Sequence, residues 1–132
     1  MILVDTSVWV DLLRKRRTEC AVRLRSLLDE QRRLAVTPVI LQEILQGAAD
    51  EHEFSLLDEY FSSQSMLLPQ DPLDTHRRAA RLYFDCRRGG FTPRSTVDCL
   101  IAQIALDHGV ALLHDDRDFE QIAKVAPTLE FA

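Results

Sequence analysis

Four short runs of aliphatic residues, separated by longer helical patterns, constrain the fold of this 132-residue chain more than any other feature. The runs are Ile2–Val4, Leu34–Val36, Met66–Leu68 and Val110–Leu113. Each run lacks polar residues, which is typical of strands buried on both faces of a parallel sheet. Parallel neighbours need long crossover connections, and the intervening amphipathic helices supply them. The sequence therefore predicts an α/β sandwich with a mainly parallel sheet.

Apolar residues at helical spacing predict the connections between these strands. A polar stretch from Arg14 to Thr18 separates the first two helices, and Thr37 followed by Pro38 is a start signal for the third. The predicted helices begin near Val8 and then span 20–28, 38–47, 51–61, 74–88 and 95–109, with a last short helix after Phe119.

Length and composition are those of one soluble globular domain, 1–132. The hydrophobic content of 46% is ordinary for such a domain, and no stretch approaches the ~18 apolar residues of a membrane helix. A strand-like run follows Met1 directly, so we expect a cytoplasmic protein without a secretory leader or membrane contact. Cys20, Cys86 and Cys99 lack the spacing of a zinc site or a disulfide framework and are predicted to be buried thiols.

Acidic residues occur where a predicted strand ends and the next element begins. Asp5 follows the first strand, Glu43 lies on the helix after the second, and Asp116 follows the last. Asp98 lies in the first turn of the helix that leads into the last strand. Parallel strands place their carboxyl ends at one edge, where open α/β sheets bind ligands. Carboxylates crowded there need a cation, and hard oxygen donors favour Mg²⁺ or Mn²⁺.

Each acid also has a purely structural interpretation. Asp5, Thr6 or Ser7 can cap the first helix, and Asp98 can form a capping box with Ser95. The acids after the last strand can be turn residues or first-turn helix acids; they are Asp115, Asp116 and Asp118. A metal site becomes the better hypothesis because the structural one requires several independent coincidences.

Other acid-dependent α/β chemistries fit the sequence poorly. A phosphatase of the haloacid dehalogenase type needs a second Asp two residues after its nucleophile, and this chain has Ser7 there. The acidic pair and the Lys of a response-regulator receiver are not evident. The G-x-S-x-G motif is absent, and no Gly-rich phosphate loop follows a strand, since the only glycines are Gly47, Gly89, Gly90 and Gly109.

Four motifs in order resemble the acidic motifs of PIN-domain ribonucleases, and their spacing is similar to that of VapC-type toxins. They are Ile2-Leu-Val-Asp5-Thr-Ser-Val, Thr37-Pro-Val-Ile-Leu-Gln-Glu43, Ser95-Thr-Val-Asp98-Cys-Leu-Ile-Ala and Leu112-Leu-His-Asp-Asp116-Arg-Asp118-Phe119. The resemblance implies a three-layer α/β/α sandwich with four to five strands. It also implies a Mg²⁺- or Mn²⁺-dependent endoribonuclease acting on structured RNA such as tRNA or rRNA, a homodimer, and inhibition by a cognate antitoxin.

The resemblance assigns Asp5, Glu43, Asp98 and Asp116 as the catalytic, metal-binding acids and Asp118 as a fifth metal ligand. Thr6 and Ser7 are expected to support this site through their hydroxyl groups, together with His114. His114 is a departure, because many relatives have Thr or Ser at the matching position. Its local hydrogen bonding, and any role as a proton donor, therefore stay open.

The formal net charge of −5 argues against a nucleic-acid partner, but two bound Mg²⁺ would change it to −1. Basic residues also occur in groups that are either solvated helix faces or local positive surfaces. The cations nearest in sequence to the acidic motifs are predicted to contact RNA phosphates; they are Arg87, Arg88, Arg94 and Arg117. Two rival hypotheses are a non-catalytic interaction module with the same fold and a DNA-directed nuclease with the same acidic site.

Two apolar helix stripes exceed what a thin domain readily covers, although core packing explains any single residue equally well. They comprise Trp9, Leu12 and Leu13 and also Phe54, Leu57 and Phe61. With the resemblance to dimeric toxins, they suggest a homodimer contact and a groove for an antitoxin helix. An arginine of that partner would then pair with the acids and displace the metal.

Overall fold

Four strands and seven helices alternate along the chain in the computed structural model, which describes residues 1–132. The strands are β1 (Ile2–Val4), β2 (Leu34–Val36), β3 (Ser65–Met66) and β4 (Ala111–Leu113). The helices are α1 (Thr6–Leu13), α2 (Glu19–Asp29), α3 (Pro38–Gln46), α4 (Glu51–Ser62), α5 (Pro72–Arg88), α6 (Thr96–His108) and α7 (Asp118–Val125).

The strands form one parallel sheet in the order β3-β2-β1-β4, which confirms the predicted α/β class. Leu3 of the central strand β1 pairs with Ala35 on one side and with Leu112 on the other. All three β1 residues are buried, as their aliphatic character predicts. Phe131 near the C-terminus adds a single parallel bridge to Leu112 and extends the sheet at that edge.

The helices pack in two groups, which produces the layers of the sandwich. Helix α1 contacts α2 and α3, and α3 contacts α4, whereas α5, α6 and α7 contact one another. The chain moves from β1 through β2 to β3 in one direction and returns from β3 to β4 in the other. Right-handed crossovers then place the first four helices on one face of the sheet and α5 and α6 on the opposite face.

This strand order creates a topological switch point between β1 and β4, where ligands bind in open α/β sheets. The Asp5 amide donates to the Leu113 carbonyl at 2.9 Å, so the carboxyl ends of the two strands are joined by the backbone. The segments with Asp5 and Asp116 therefore leave the sheet side by side.

Several element boundaries differ from the sequence prediction. Two helices begin earlier than predicted because a capping residue precedes each of them. Helix α1 begins at Thr6, two residues before Val8, since Asp5 caps it. Helix α5 begins at Pro72 because Asp71 accepts the Asp74 amide at 3.2 Å. Strand β3 is Ser65–Met66 instead of Met66–Leu68, because this edge strand diverges after its last bond to β2.

Half of the six residues in the predicted apolar stripes belong to the core. Trp9 on α1 and Leu57 and Phe61 on α4 are buried, because they pack into the hydrophobic core of the domain. Leu13 and Phe54 stay exposed, so only part of the expected surface exists. No helix is both long and apolar enough to cross a membrane. The cysteines are free thiols, as predicted; Cys86 and Cys99 are buried and Cys20 is half-buried.

Candidate active site

Asp5 is both a helix cap and a member of the acidic site. Its Oδ2 accepts hydrogen bonds from the Ser7 amide at 3.0 Å and from the Ser7 hydroxyl at 2.6 Å. Only 5% of the residue is exposed. Burial raises the pKa of Asp5, the two Ser7 bonds oppose that rise, and the nearby charge of Asp116 adds to it. Asp5 therefore caps α1 and at the same time lies near the other acids.

Glu43 reaches the same edge from α3. Thr37 caps this helix by accepting the Ile40 amide at 3.2 Å, and Pro38 occupies its first turn. The Thr6 hydroxyl donates to Glu43 Oε1 at 2.8 Å and so joins α1 to α3. Burial raises the pKa of Glu43, the Thr6 bond opposes this rise, and the charge of Asp5 adds to it. Thr6 thus orients Glu43, while Ser7 orients Asp5.

The tightest acidic set is formed by Asp98, Asp116 and Asp118, which can each offer one oxygen within 4.8 Å of the others. Helix α6 begins at the cap residue Ser95, whose hydroxyl accepts the Val97 amide at 3.1 Å. The predicted capping box is only half made, because the Asp98 carboxylate does not bond back to Ser95. Asp98 is instead directed at the other acids, and all its pKa-raising charges come from them.

Asp98 shows how crowded this set is. Burial and the charges of Asp116, Asp5 and Asp118 together raise the pKa of Asp98 from 3.8 to about 8. No backbone or side-chain N–H of the protein donates to its carboxylate. The group therefore requires a proton or a cation near neutral pH.

Arg94 neutralises part of the cluster from the loop between α5 and α6. Its Nη2 lies 3.0 Å from Asp116 Oδ1, and its Nε lies 3.2 Å from Asp118 Oδ2. Its backbone amide also donates to Asp118 Oδ2 at 3.1 Å. The sequence predicted Arg94 as a phosphate contact, but its charge here is directed at two carboxylates. Spacing alone gave no signal for this pairing.

His114 stabilises the loop after β4. Its Nδ1 accepts the Asp116 amide at 3.1 Å, so Nδ1 bears no proton in this arrangement. The ring packs against Phe119 and Phe131, with centroids 5.1 and 4.5 Å away, and burial lowers the pKa of His114. His114 therefore acts here as a neutral acceptor that orients the Asp116 backbone, a task that a Ser or Thr hydroxyl can also perform.

A pair of carboxyl groups, those of Asp11 and Asp115, was not predicted from the sequence. Asp11, 5% exposed, accepts from Arg16 at 3.2 Å and from Thr18 at 3.1 Å. A hydrogen bond shared with Asp115 lowers the pKa of Asp11 and raises that of Asp115. The Asp115 amide also donates to the Ser7 hydroxyl at 3.0 Å. This pair ties the end of α1 to the loop that contains Asp116.

The structure brings all five predicted acids to one sheet edge but in two subsets. Asp98, Asp116 and Asp118 form the compact set, whereas Asp5 and Glu43 stand beside it and interact with it through their charges. The remaining predicted arginines are exposed and pair with no carboxylate; they are Arg87, Arg88 and Arg117.

A four-stranded parallel sheet with carboxylates at its switch point is the arrangement that the sequence motifs implied. The family model of the PIN domain matches residues 2–125. The chain therefore belongs to the PIN-domain family, and its sequence places it in the VapC group of that family.

Two relatives show this placement directly. The chain is 41% identical over 126 residues to Ribonuclease VapC11 of Mycobacterium tuberculosis, covering 95% of this chain and 93% of that protein. It has the same identity and coverage with VapC ribonuclease Mb1587 of Mycobacterium bovis.

Solved structures show the same fold at lower sequence identity. VapBC-1 from nontypeable Haemophilus influenzae has a TM-score of 0.74 at 21% identity, covering 100% of this chain and 97% of that one. VapBC2 from Rickettsia felis, bound to a DNA fragment from its promoter, has a TM-score of 0.72 at 20% identity, with 100% and 98% covered.

Proposed function

We propose that this protein is a Mg²⁺- or Mn²⁺-dependent endoribonuclease toxin that hydrolyses phosphodiester bonds in RNA and is inhibited by a cognate antitoxin. The observation that supports it best is the crowded set of Asp98, Asp116 and Asp118, in which burial and the charges of the neighbouring acids raise the pKa of Asp98. The relatives at 41% identity are named as ribonucleases, which favours RNA over DNA as the substrate. We take tRNA and rRNA as the first substrates to test, and residues 1–132 as a single nuclease domain.

The donor set fits a hard divalent cation. Opposite ligands of six-coordinate Mg²⁺ are about 4 Å apart, and the three carboxylates can bring oxygens within 4.8 Å of one another. Asp98, Asp116 and Asp118 would hold the ion, and Asp5 and Glu43 lie where they can complete its environment. No Cys/His set accompanies these acids, so Zn²⁺ is not the expected metal.

A bound Mg²⁺ or Mn²⁺ would supply positive charge that activates a water nucleophile and stabilises the leaving oxygen. The protein's own groups position the acids for this chemistry. Ser7 holds Asp5 through two hydrogen bonds, and Thr6 holds Glu43 through one. His114 fixes the backbone of Asp116. These contacts limit side-chain motion, which lets the site act with little reorganisation.

Exposed arginines near the site are proposed to bind RNA phosphates. Arg87, Arg88 and Arg117 are exposed and free of carboxylates, so their charge is available to an anion. Arg94 is engaged with Asp116 and Asp118, and a metal at these acids would compete with it and release it toward a phosphate. Positive charge would then surround an acidic centre whose own repulsion of RNA the metal has reduced.

The central experiment is cleavage of total RNA by purified, partner-free protein with and without Mg²⁺, followed by sequencing of the new ends. We expect a small set of new ends in Mg²⁺ or Mn²⁺ and none in EDTA. Asp98→Asn should lower the cleavage rate at least about a hundredfold, because it removes a direct ligand. A DNA of the same sequence serves as the substrate control. Cleavage that persists in EDTA, or in Asp98→Asn, would overturn the proposal.

An apolar groove between α1 and α4 is proposed as the antitoxin site. It encloses about 470 Å³ and is lined by Leu13, Leu56 and Tyr60 at the surface, with Trp9 beneath them. Several structural neighbours are toxin–antitoxin complexes, which supports a partner of this kind. A helix with apolar anchors and one arginine for the acidic site would fit.

The partner hypothesis is tested by co-expression with a candidate antitoxin and purification of the complex. We expect Leu56→Asp to abolish the complex, since it buries a charge in the groove. Asp29→Asn, a change at an exposed position away from the groove, is the control. A complex that survives Leu56→Asp would place the partner elsewhere.

A further inference from the structure

An exposed phenylalanine on α5 is surrounded by three arginines. The Phe84 ring has Arg81, Arg87 and Arg88 guanidinium carbons 5.3, 5.6 and 5.8 Å from its centroid. Phe84 is 38% exposed, so at least part of the ring is open to solvent. Cations at this distance interact with the negative face of an aromatic ring.

The packing of α5 does not explain Phe84. The buried positions of this helix are Thr75, Ala79, Leu82 and Cys86, which follow helical spacing along one side. Phe84 lies two residues from both Leu82 and Cys86 and therefore points away from that side. A large aromatic side chain at such a position exposes apolar surface that a partner can contact.

The charges around Phe84 are also unbalanced. Arg81 pairs with Asp85 at 3.0 Å, but Arg87 and Arg88 have no carboxylate within 4 Å. Three guanidinium groups around one ring repel one another unless an anion joins them. This local excess of positive charge stands out in a chain with a formal net charge of −5. A partner with both negative charge and an aromatic face could stack on the ring and pair with the arginines.

The cluster lies close enough to the acidic site to contact the same RNA. Arg94 lies six positions after Arg88, and a chain of that length spans at most about 20 Å. Arg94 contacts Asp116 and Asp118. Helix α5 also packs against α7, which begins at Asp118. A few nucleotides of RNA can therefore bridge the two places.

We propose that Phe84 is a stacking platform for an unpaired base of the RNA substrate, with Arg87 and Arg88 bound to the phosphates on either side of that base. The proposal rests on the ribonuclease function proposed above and adds residues of α5 that contact the substrate beside the acidic site. Unstacked bases commonly bind on aromatic side chains, while bases within a duplex offer no free face. Arg81 stays paired with Asp85 and holds one side of the ring.

A second copy of this chain fits the cluster poorly. A two-fold contact centred on Phe84 would set three arginines of one chain against the same three of the other. Such like charges oppose association. The charge of the cluster therefore favours RNA as the occupant.

The test is the cleavage kinetics of the metal-loaded protein on two RNAs that contain the same mapped cleavage site. One RNA leaves the neighbouring nucleotides unpaired, and the other pairs them in a duplex. We expect Phe84→Leu to raise KM for the unpaired RNA about tenfold with kcat within about twofold, because stacking contributes equally to substrate and transition state. Phe84→Trp should restore KM. Phe54→Leu, at an exposed phenylalanine on α4, should leave KM unchanged.

Arg87 and Arg88 are tested by measuring, in EDTA, how the affinity of the protein for the unpaired RNA depends on salt concentration. Arg87→Gln combined with Arg88→Gln should reduce the slope of log affinity against log salt by about 1.4, since each phosphate contact to a single strand contributes about 0.7. The matched control is Arg32→Gln with Arg33→Gln, which removes the same charge. This exposed pair directly precedes β2 and so lies at the end of the strands opposite to the acidic site. That control should keep the wild-type slope.

The outcomes separate this proposal from the function on which it rests. Wild-type protein that cleaves no RNA removes the ribonuclease function and this proposal together. Wild-type protein that cleaves, with an unchanged KM in Phe84→Leu, overturns the stacking platform alone. A change in oligomeric mass caused by Phe84→Leu would also overturn it, because Phe84 would then be a contact between copies.

Discussion

At the scale of single residues, Asp98 decides how the metal-free protein responds to pH. Its pKa of about 8 in the folded protein exceeds its ordinary value of 3.8, so the folded state binds the proton more tightly than the unfolded state. Stability then falls as pH rises through this window, and the full penalty is present above about pH 8. Asp5 and Glu43, whose pKa values are also raised by burial, act in the same direction.

We therefore predict that Asp98→Asn stabilises the metal-free protein progressively as pH rises. In EDTA, the melting temperatures of mutant and wild type should be similar near pH 4 and should diverge up to pH 8. Thermal melts at five pH values test this, with Asp29→Asn as an exposed control. A difference in melting temperature that stays constant over the whole range would contradict the shifted pKa.

Arg94 is predicted to compete with the metal. It occupies oxygens of Asp116 and Asp118 that a divalent cation would need. Arg94→Gln should therefore tighten Mn²⁺ binding a few-fold in titration calorimetry. Cleavage should fall, because the variant lacks the guanidinium that we propose binds a phosphate once the metal has released it. Arg32→Gln is the charge-matched control. Weaker Mn²⁺ binding in Arg94→Gln would mean that Arg94 organises the carboxylates instead.

At the scale of elements, helix caps set the positions of the acids. Thr37 is fully buried and accepts the Ile40 amide at the start of α3, one and a half turns before Glu43. Thr37→Ala should lower the free energy of unfolding by about 1–2 kcal/mol, since it removes the cap and leaves a buried amide unpaired. Urea denaturation measures the loss.

Thr37→Ser keeps the hydroxyl and is the matched control for this change. It should recover most of the stability, apart from a small loss for the missing methyl group. Equal destabilisation by Ser and Ala would show that Thr37 contributes through packing and not through its cap.

At the scale of the whole molecule, we predict that divalent cations stabilise the native state. Ligands that bind only the folded protein add about 2.7 kcal/mol at a hundred times their dissociation constant. Mg²⁺ or Mn²⁺ should therefore raise the melting temperature by several degrees, and Asp116→Asn should abolish most of that rise. A rise of equal size in the mutant would place the metal outside the acidic cluster.

We also predict a homodimer, as the resemblance to dimeric toxins implies, and exposed apolar residues outside the α1/α4 groove are candidates for its contact. Leu68 and Leu73 are 54% and 63% exposed. Light scattering at micromolar concentration should report twice the mass of one chain. A monomeric mass at that concentration would refute the dimer.

The strands and the acids at their ends could be predicted from the sequence, because both depend on local pattern. A buried parallel strand needs consecutive aliphatic residues, and β1, β2 and β4 lie where such runs predict them, whereas β3 overlaps its predicted run only at Met66. Parallel pairing then sends every carboxyl end to one edge, so Asp5 and Asp116 had to meet. Capping signals such as Thr37-Pro38 were equally readable, since they act within one turn of helix.

The tertiary structure alone decided which acids form the compact set and what surrounds them. Asp118 joins Asp98 and Asp116, while Arg94 pairs with two of these acids. These contacts depend on the rotation of α6 and on the path of the loop before it, neither of which follows from local spacing. Burial of Trp9 was undecided for the same reason, because it is an aromatic residue at helical spacing. Only the packing of each helix against the sheet determines which of its sides faces the core.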